Sequence, residues 1–529
     1  MKKVFLILVS LSAAYWMASC AGAAAIDGEQ IKKHNQAMAA YRSGELEEAK
    51  AGFQEVISAD PDFSESYLGL GMVYTEEGLY QEAVENFDRA IVLDPELAAA
   101  YSERGWALAA MGDYSGAVLD YGKSIEMGVS TSAIYTNQGT AYYELGQLVE
   151  AKESFEKALV LDEAFLPAQY ALLQVLYADG NHPEVQKLAG TIISQNAGTL
   201  NVYLIRGDSL LASGDVSGAV TDFSTAVDID PDSVPALLRY ASGLYTLGNY
   251  EEALKAYDQL AGLDSGNPSV FLGRALSLEK LERWQDALAD YLSVFEKEPD
   301  SAAAAAGTGR MYGRINEVDL AQQYLSLSLE LNPQASVFQS LGLVLFRTGQ
   351  FEEALEAFEQ GFALEEDNTS LAANVALSAF MAGDFERARE AVFTAESLDP
   401  GLSEVLKVQG LLAYYDEDYT TAAEYFRQAV EAAPLDPYSH YYLGSAVYQA
   451  GQYEEAQDPL HEALNLDEDL LLAHAVLSLV YQELGLQEEA VIECRLYIKP
   501  EMDPTMMFGG GMFNVAGNAQ EVCNQLLGY

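Results

Sequence analysis

Few side chains in this 529-residue sequence stand at spacings that could do chemistry. The five histidines, His34, His182, His440, His461 and His474, form neither an HExxH pair nor a Cys/His zinc spacing, so no metal site and no cofactor is expected. Gly509, Gly510 and Gly511 lack both the preceding strand and the following lysine of a phosphate cradle. More informative is a basic group in a chain of 81 acidic and 28 basic side chains, net charge −53. Lys280, Arg310, Arg314 and Arg347 fall within one stretch, and arginine forks suit carboxylate or phosphate. The competing reading pairs each with a nearby acid such as Glu279 or Glu317.

The elements that position these residues are legible in 64–97, SESYLGLGMVYTEEGLYQEAVENFDRAIVLDPEL. Counting Ser64 as position 1, Tyr67 stands at 4, Leu70 and Gly71 at 7 and 8, and Tyr74 at 11. Ala83 follows at 20, Phe87 at 24, Ala90 at 27 and Pro95 at 32. Apolar residues three and four apart on either side of Gly78 predict two amphipathic helices and a tight turn. The small pair Gly71 and Ala83 lets those helices cross closely. These residues resemble the tetratricopeptide repeat family, a helix–turn–helix unit of about 34 residues. The resemblance implies an all-α fold: a right-handed α-α superhelix (solenoid) used as a binding scaffold, with no catalytic activity of its own.

The register continues from starts at Gln30, Ser64, Ala98, Ser132, Leu166, Leu200, Val234, Pro268 and Ala302. One residue is then lost, and starts at Ala335, Thr369, Ser403, Pro437 and Leu471 complete fourteen units over 30–504. Position 20 is alanine in thirteen of them, and position 15 is glycine in eleven, where it ends the first helix without steric penalty. The fifth unit departs, with Leu173 and Val185 at the small positions and Pro183 early in its second helix, so a looser local packing is expected. His440 and His474 share position 4, which is ordinarily a packing site.

In the resembled family the first helices line a concave groove, with positions 2, 5, 9, 12 and 13 pointing inward. Carried over, position 12 holds Tyr41, Tyr143, Tyr177, Tyr245, Phe346, Phe380, Tyr414 and Tyr448. Two readings stand side by side: a ladder that grips extended peptides or amphipathic helices, or rings packed as core. Lys280, Arg310, Arg314 and Arg347 fall at positions 9 and 13 of three consecutive units, so a regular superhelix would converge them on one segment. The carboxylate clamp of chaperone-binding members is not reproduced, since the first units offer His34 and Met38, or Leu68 and Met72.

At the N-terminus Lys2 and Lys3 precede an apolar stretch, Val4 to Ala18, too short to span a membrane comfortably. Residues 1–19 read as a signal peptide, and Met17-Ala18-Ser19-Cys20 looks like a bacterial lipobox with Cys20 lipidated and 20–29 a tether. Cleavage after Ala25 is the alternative and would release a soluble exported protein. At the other end, 505–529 reads as a loop and a capping helix. Cys494 and Cys523 would be the two remaining thiols; an exported compartment permits a disulfide between them, and free thiols remain the other reading.

A field of −53 repels phosphate, so no nucleic-acid partner is expected. The expected function is a protein-interaction scaffold of the cell envelope, lipid-anchored to a membrane, binding peptide or helical segments. The alternative is a binding protein for an acidic small molecule or glycan held by the arginine cluster.

Overall fold

Positions 15 and 8 do most to shape the repeats. At position 15 the backbone is left-handed in every unit: Gly78, Gly214 and Gly451 have φ of 73°, 85° and 78°. Glycine adopts this without a Cβ clash, so the first helix stops and the second starts after a link of three residues, 77–79. At position 8 a Cβ on Gly71 or Gly410 would lie 2.5 Å from the ring of Phe87 or Phe426 at position 24. The small residue therefore makes room for a ring, and Ala83 at position 20 completes the crossing, fully buried.

The computed structural model describes residues 28–498 and 515–527. Among them are 29 α-helices and no strand. Residues 1–27, where a signal peptide, the lipidated Cys20 and most of a tether are expected, lie outside the described residues, as do 499–514. Two compact units divide the chain, 1–265 and 266–529. The first holds seven helix pairs, from Gly28–Ser43 to Tyr250–Leu263. The second holds seven more, from Pro268–Lys280 to Gln487–Tyr497, followed by the single helix Val515–Leu527. Each unit is thus a solenoid of helix pairs whose apolar stripe is buried against the next pair.

Within the first unit, the pair Leu166–Ala178 and His182–Ser194 is the most loosely packed. Leu173 and Val185 are both buried, and Ala189 stands at position 24 where nine other repeats carry a ring. Large and small have exchanged sides: Leu173 occupies the room that the absent ring leaves, while Val185 keeps the helices apart. In the second unit, Val515–Leu527 packs on the last pair through buried Ala519 and Cys523, and Cys523 is joined to Cys494 by a disulfide with Cα atoms 5.2 Å apart.

Candidate functional site

The position-12 rings sit in the last turn of each first helix, across the elbow from the first residue of the second. That neighbour is often aromatic, and the two rings then pack together. Tyr245 lies 5.4 Å from Tyr250, Phe346 5.2 Å from Phe351, Phe380 5.4 Å from Phe385, Tyr414 5.0 Å from Tyr419 and Tyr448 5.6 Å from Tyr453, as ring centroids. Phe380 and Tyr414 are buried, 3% and 6% exposed, so these two belong to the core and not to a groove. The reason is enclosure beyond the elbow contact, since Phe380 also meets Tyr415 of the next repeat at 6.5 Å and Tyr414 lies within the buried apolar cluster of its unit. Tyr245, Phe346 and Tyr448 keep the elbow contact but are only half-buried, and Tyr143 and Leu148 pack against one buried apolar cluster.

Two members of the set differ. Tyr41 is half-buried and its hydroxyl donates to Glu76 of the next repeat at 3.3 Å. Tyr177 is 38% exposed and donates to Asp208 of the next repeat at 2.9 Å. Asp208 also accepts from Arg239 Nε at 2.7 Å, which fixes the carboxylate from the far side. In the 1–265 unit, then, apolar ring faces stand beside carboxylates held by the following first helix.

Glu103, on the first helix Ala98–Ala110, adds to this acidic character. Its neighbour Arg104 is committed to Asp120, through bonds of 2.7 Å from Nε and from Nη2, and to Asp88 at 2.5 Å. Among the described residues Glu103 pairs with no cation; burial, with the charge of Glu76 behind it, pushes its carboxyl up to about 7.

The four basic residues do not assemble into one anion site. Arg310 presents both arms of its fork to Glu279, Nε to Oε1 and Nη2 to Oε2 at 2.9 Å each. The Tyr291 hydroxyl donates to the same carboxylate at 2.7 Å. Burial works against the charge on Glu279, yet the Arg310 bonds outweigh it and hold the carboxyl below its usual value. Arg310 is therefore already neutralised, because the residue before Lys280, Glu279 at position 12 of the preceding repeat, is an acid. Arg314 lies over the Trp284 ring, 5.3 Å from its centroid, and Arg347 donates to the Gly313 carbonyl at 3.3 Å. Lys280, Arg314 and Arg347 each end a first helix, where a cation complements the helix dipole.

Three of the histidines are engaged as well. His440 Nε2 is 2.9 Å from the Pro434 carbonyl oxygen, His461 Nε2 2.9 Å from the Tyr481 hydroxyl, and His474 Nδ1 2.5 Å from Glu493. Among the described residues no three His, Cys, Asp or Glu are grouped to hold a metal ion.

One recurring polar feature escaped the sequence reading. Position 7 carries arginine and position 23 aspartate in three repeats, and each pair is bidentate: Arg104–Asp120, Arg206–Asp222 and Arg274–Asp290. The acids are almost fully buried, so these are internal ties between the two helices of a repeat. The signal was present as a constant separation of 16 residues.

Comparison with known proteins gives matches to the tetratricopeptide repeat at residues 34–98, 76–128, 206–268, 272–336, 340–402 and 408–469, more than half of the chain. A second form of the repeat matches at 132–165. The chain is similar to TPR repeat-containing protein YpiA of Bacillus subtilis, 30% identical over 253 residues, 47% of this chain and 59% of that protein. It is 28% identical over 214 residues to the Protein CTR9 homolog of Arabidopsis thaliana, covering 38% of this chain and 19% of that one. The chain thus spans less than two thirds of the length of either relative. Among solved structures, Cut9 and Hcn1 of the APC/C hetero-tetramer give a match with TM-score 0.41 and 17% identity, covering 94% of this chain and 96% of that one.

Proposed function

Since this chain belongs to the tetratricopeptide repeat family, we propose that it is a non-catalytic scaffold that binds peptide or helical segments of protein partners on its first helices. The observation that carries this reading is Tyr177, open to solvent, with its hydroxyl fixed on Asp208 of the next repeat. A half-buried tyrosine offers apolar area at small entropic cost, and the adjoining carboxylates accept hydrogen bonds from a basic or amide-bearing segment. Tyr41 with Glu76 repeats the arrangement at the start of the same unit. Tyr414 and Phe380 play no part, being core.

The working place of the scaffold, on this proposal, is the cell envelope. The support is the sequence of residues 1–29 with Cys20 in a lipobox-like setting. Labelling with a radioactive fatty acid tests it: incorporation that disappears in Cys20→Ser supports lipidation, whereas a mature N-terminus after Ala25 contradicts it. The binding reading is tested by affinity capture with wild type and Tyr41→Ala/Tyr177→Ala, partners identified by mass spectrometry. Partners retained by the wild type and lost from the variant support the first-helix surface. Equal recovery from both would place binding elsewhere.

A further inference from the structure

A cleft of about 420 Å³ opens in the 266–529 unit between the helices Phe351–Leu364, Thr369–Met381 and Phe385–Leu398. Its size is that of sites that bury a small ligand or a large side chain. Its origin lies in what three repeat positions lack. Position 4 carries a ring in Tyr67, Tyr101, Tyr135, Tyr203, Phe271 and Phe338. In the eleventh repeat it is Ala372, with Val375 at position 7 and Ala391 at position 23, all lining the cleft.

The ninth repeat supplies the comparison. It too has alanine at position 4, Ala305, but carries Tyr324 at position 23. The Tyr324 ring stands edge-on to Phe295, with centroids 5.6 Å apart and planes at 79°. Phe295 occupies position 28 of the preceding repeat, and its counterpart beside the cleft is Phe362. The tenth repeat therefore keeps the receiving ring, and the eleventh lacks the inserted one. The rim is acidic: Glu366 and Glu390 line it and pair with no cation among the described residues, while the cation that lines it, Arg387, is tied to Glu359.

We propose that this cleft docks an aromatic side chain of a protein partner, carried between lysine or arginine residues. The ring takes on Phe362 the place that Tyr324 takes on Phe295, and the flanking cations meet Glu366 and Glu390. A net charge of −53 favours such a basic segment over an acidic or neutral one. The surface is distinct from that of Tyr41 and Tyr177, and the proposal stands or falls separately from the one made for them.

The probe is a short fluorescein-labelled peptide with a central tryptophan between pairs of lysines, titrated by anisotropy against the full chain. Saturable binding is expected, weakened at least about tenfold when alanine replaces the peptide tryptophan and again in Ala391→Tyr. Ala391→Tyr recreates the Tyr324 arrangement, so circular dichroism and Tm should be those of the wild type. If that variant fails to fold, Ala372→Phe fills the same space with the ring that other repeats have at position 4. Leu119→Ala, at an exposed position on the second helix Tyr114–Glu126 of the other unit, leaves the cleft untouched and keeps binding. Glu366→Lys/Glu390→Lys weakens it severalfold. Equal affinity for the tryptophan and alanine peptides, or undiminished binding in the filled variants, overturns the proposal. So does self-association in sedimentation that the filled variants abolish, since that would assign the cleft to a second copy of the chain.

Discussion

Glu282, Asn316 and Glu417 hold φ of 58°, 65° and 64° at the turn where eleven repeats have glycine. The repeat geometry imposes the left-handed conformation whatever residue stands there, and a side chain raises its cost. Glu282→Gly or Glu417→Gly should each raise stability by about 1 kcal/mol in urea denaturation, provided the gain exceeds the added freedom of the unfolded chain. A loss of stability in both would contradict this account of the turn. Glu103 yields a pH prediction. Its carboxyl moves from 4.5 to about 7 on folding. Between these values the folded chain holds a proton that the unfolded chain has released, so stability falls as pH rises and the loss is complete above 7. Glu103→Gln removes that titration: it should match the wild type at about pH 4 and exceed it by ~2 kcal/mol at about pH 8. Equal stability of the two proteins at both pH values would contradict the burial of this charge.

At the scale of the helix pair, position 8 is decided by the ring it faces. Gly71→Ala places a Cβ 2.5 Å from Phe87, a buried ring with little room to retreat, and should cost about 1–3 kcal/mol. Thermal unfolding of this variant measures the cost, and an unchanged Tm would show that the ring gives way. Most of this architecture was legible in advance. From Ser64 onward every register start in the sequence is the first residue of a helix, and the alanine at position 20 is fully buried throughout. Periodicity carries this because the same contact recurs in each unit. What periodicity does not carry is how far a neighbour covers a given face. Phe380 and Tyr177 share position 12, yet Phe380 packs on Phe385 at the elbow and on Tyr415 of the next repeat, whereas Tyr177 reaches out to Asp208, so one is core and the other open. The cleft escaped for a related reason, being made of side chains that are small where their counterparts are large. The last element has its own prediction. Cys523→Ser should leave the helix pairs intact while Val515–Leu527, no longer joined to Cys494, becomes open to proteolysis. Equal protease resistance in variant and wild type would show that packing alone holds it.

Over the whole molecule, acids outnumber bases by nearly three to one and are spread along the repeats. Salt screens their mutual repulsion, so Tm should rise as NaCl goes from about 20 to about 500 mM; a fall would mean that the internal Arg–Asp ties outweigh the repulsion. The same field favours basic partners at both surfaces described, the first helices of the 1–265 unit and the cleft between repeats of the 266–529 unit. Binding on the first helices is the central claim. Its most direct test is a photoreactive phenylalanine analogue placed at Tyr177, compared with one at Leu119, which is 74% exposed on the second helix Tyr114–Glu126. After irradiation in the source cells, a discrete partner adduct from position 177 and none from position 119 is the predicted result. Adducts from position 119 alone would contradict the claim and move recognition in this unit to its second helices.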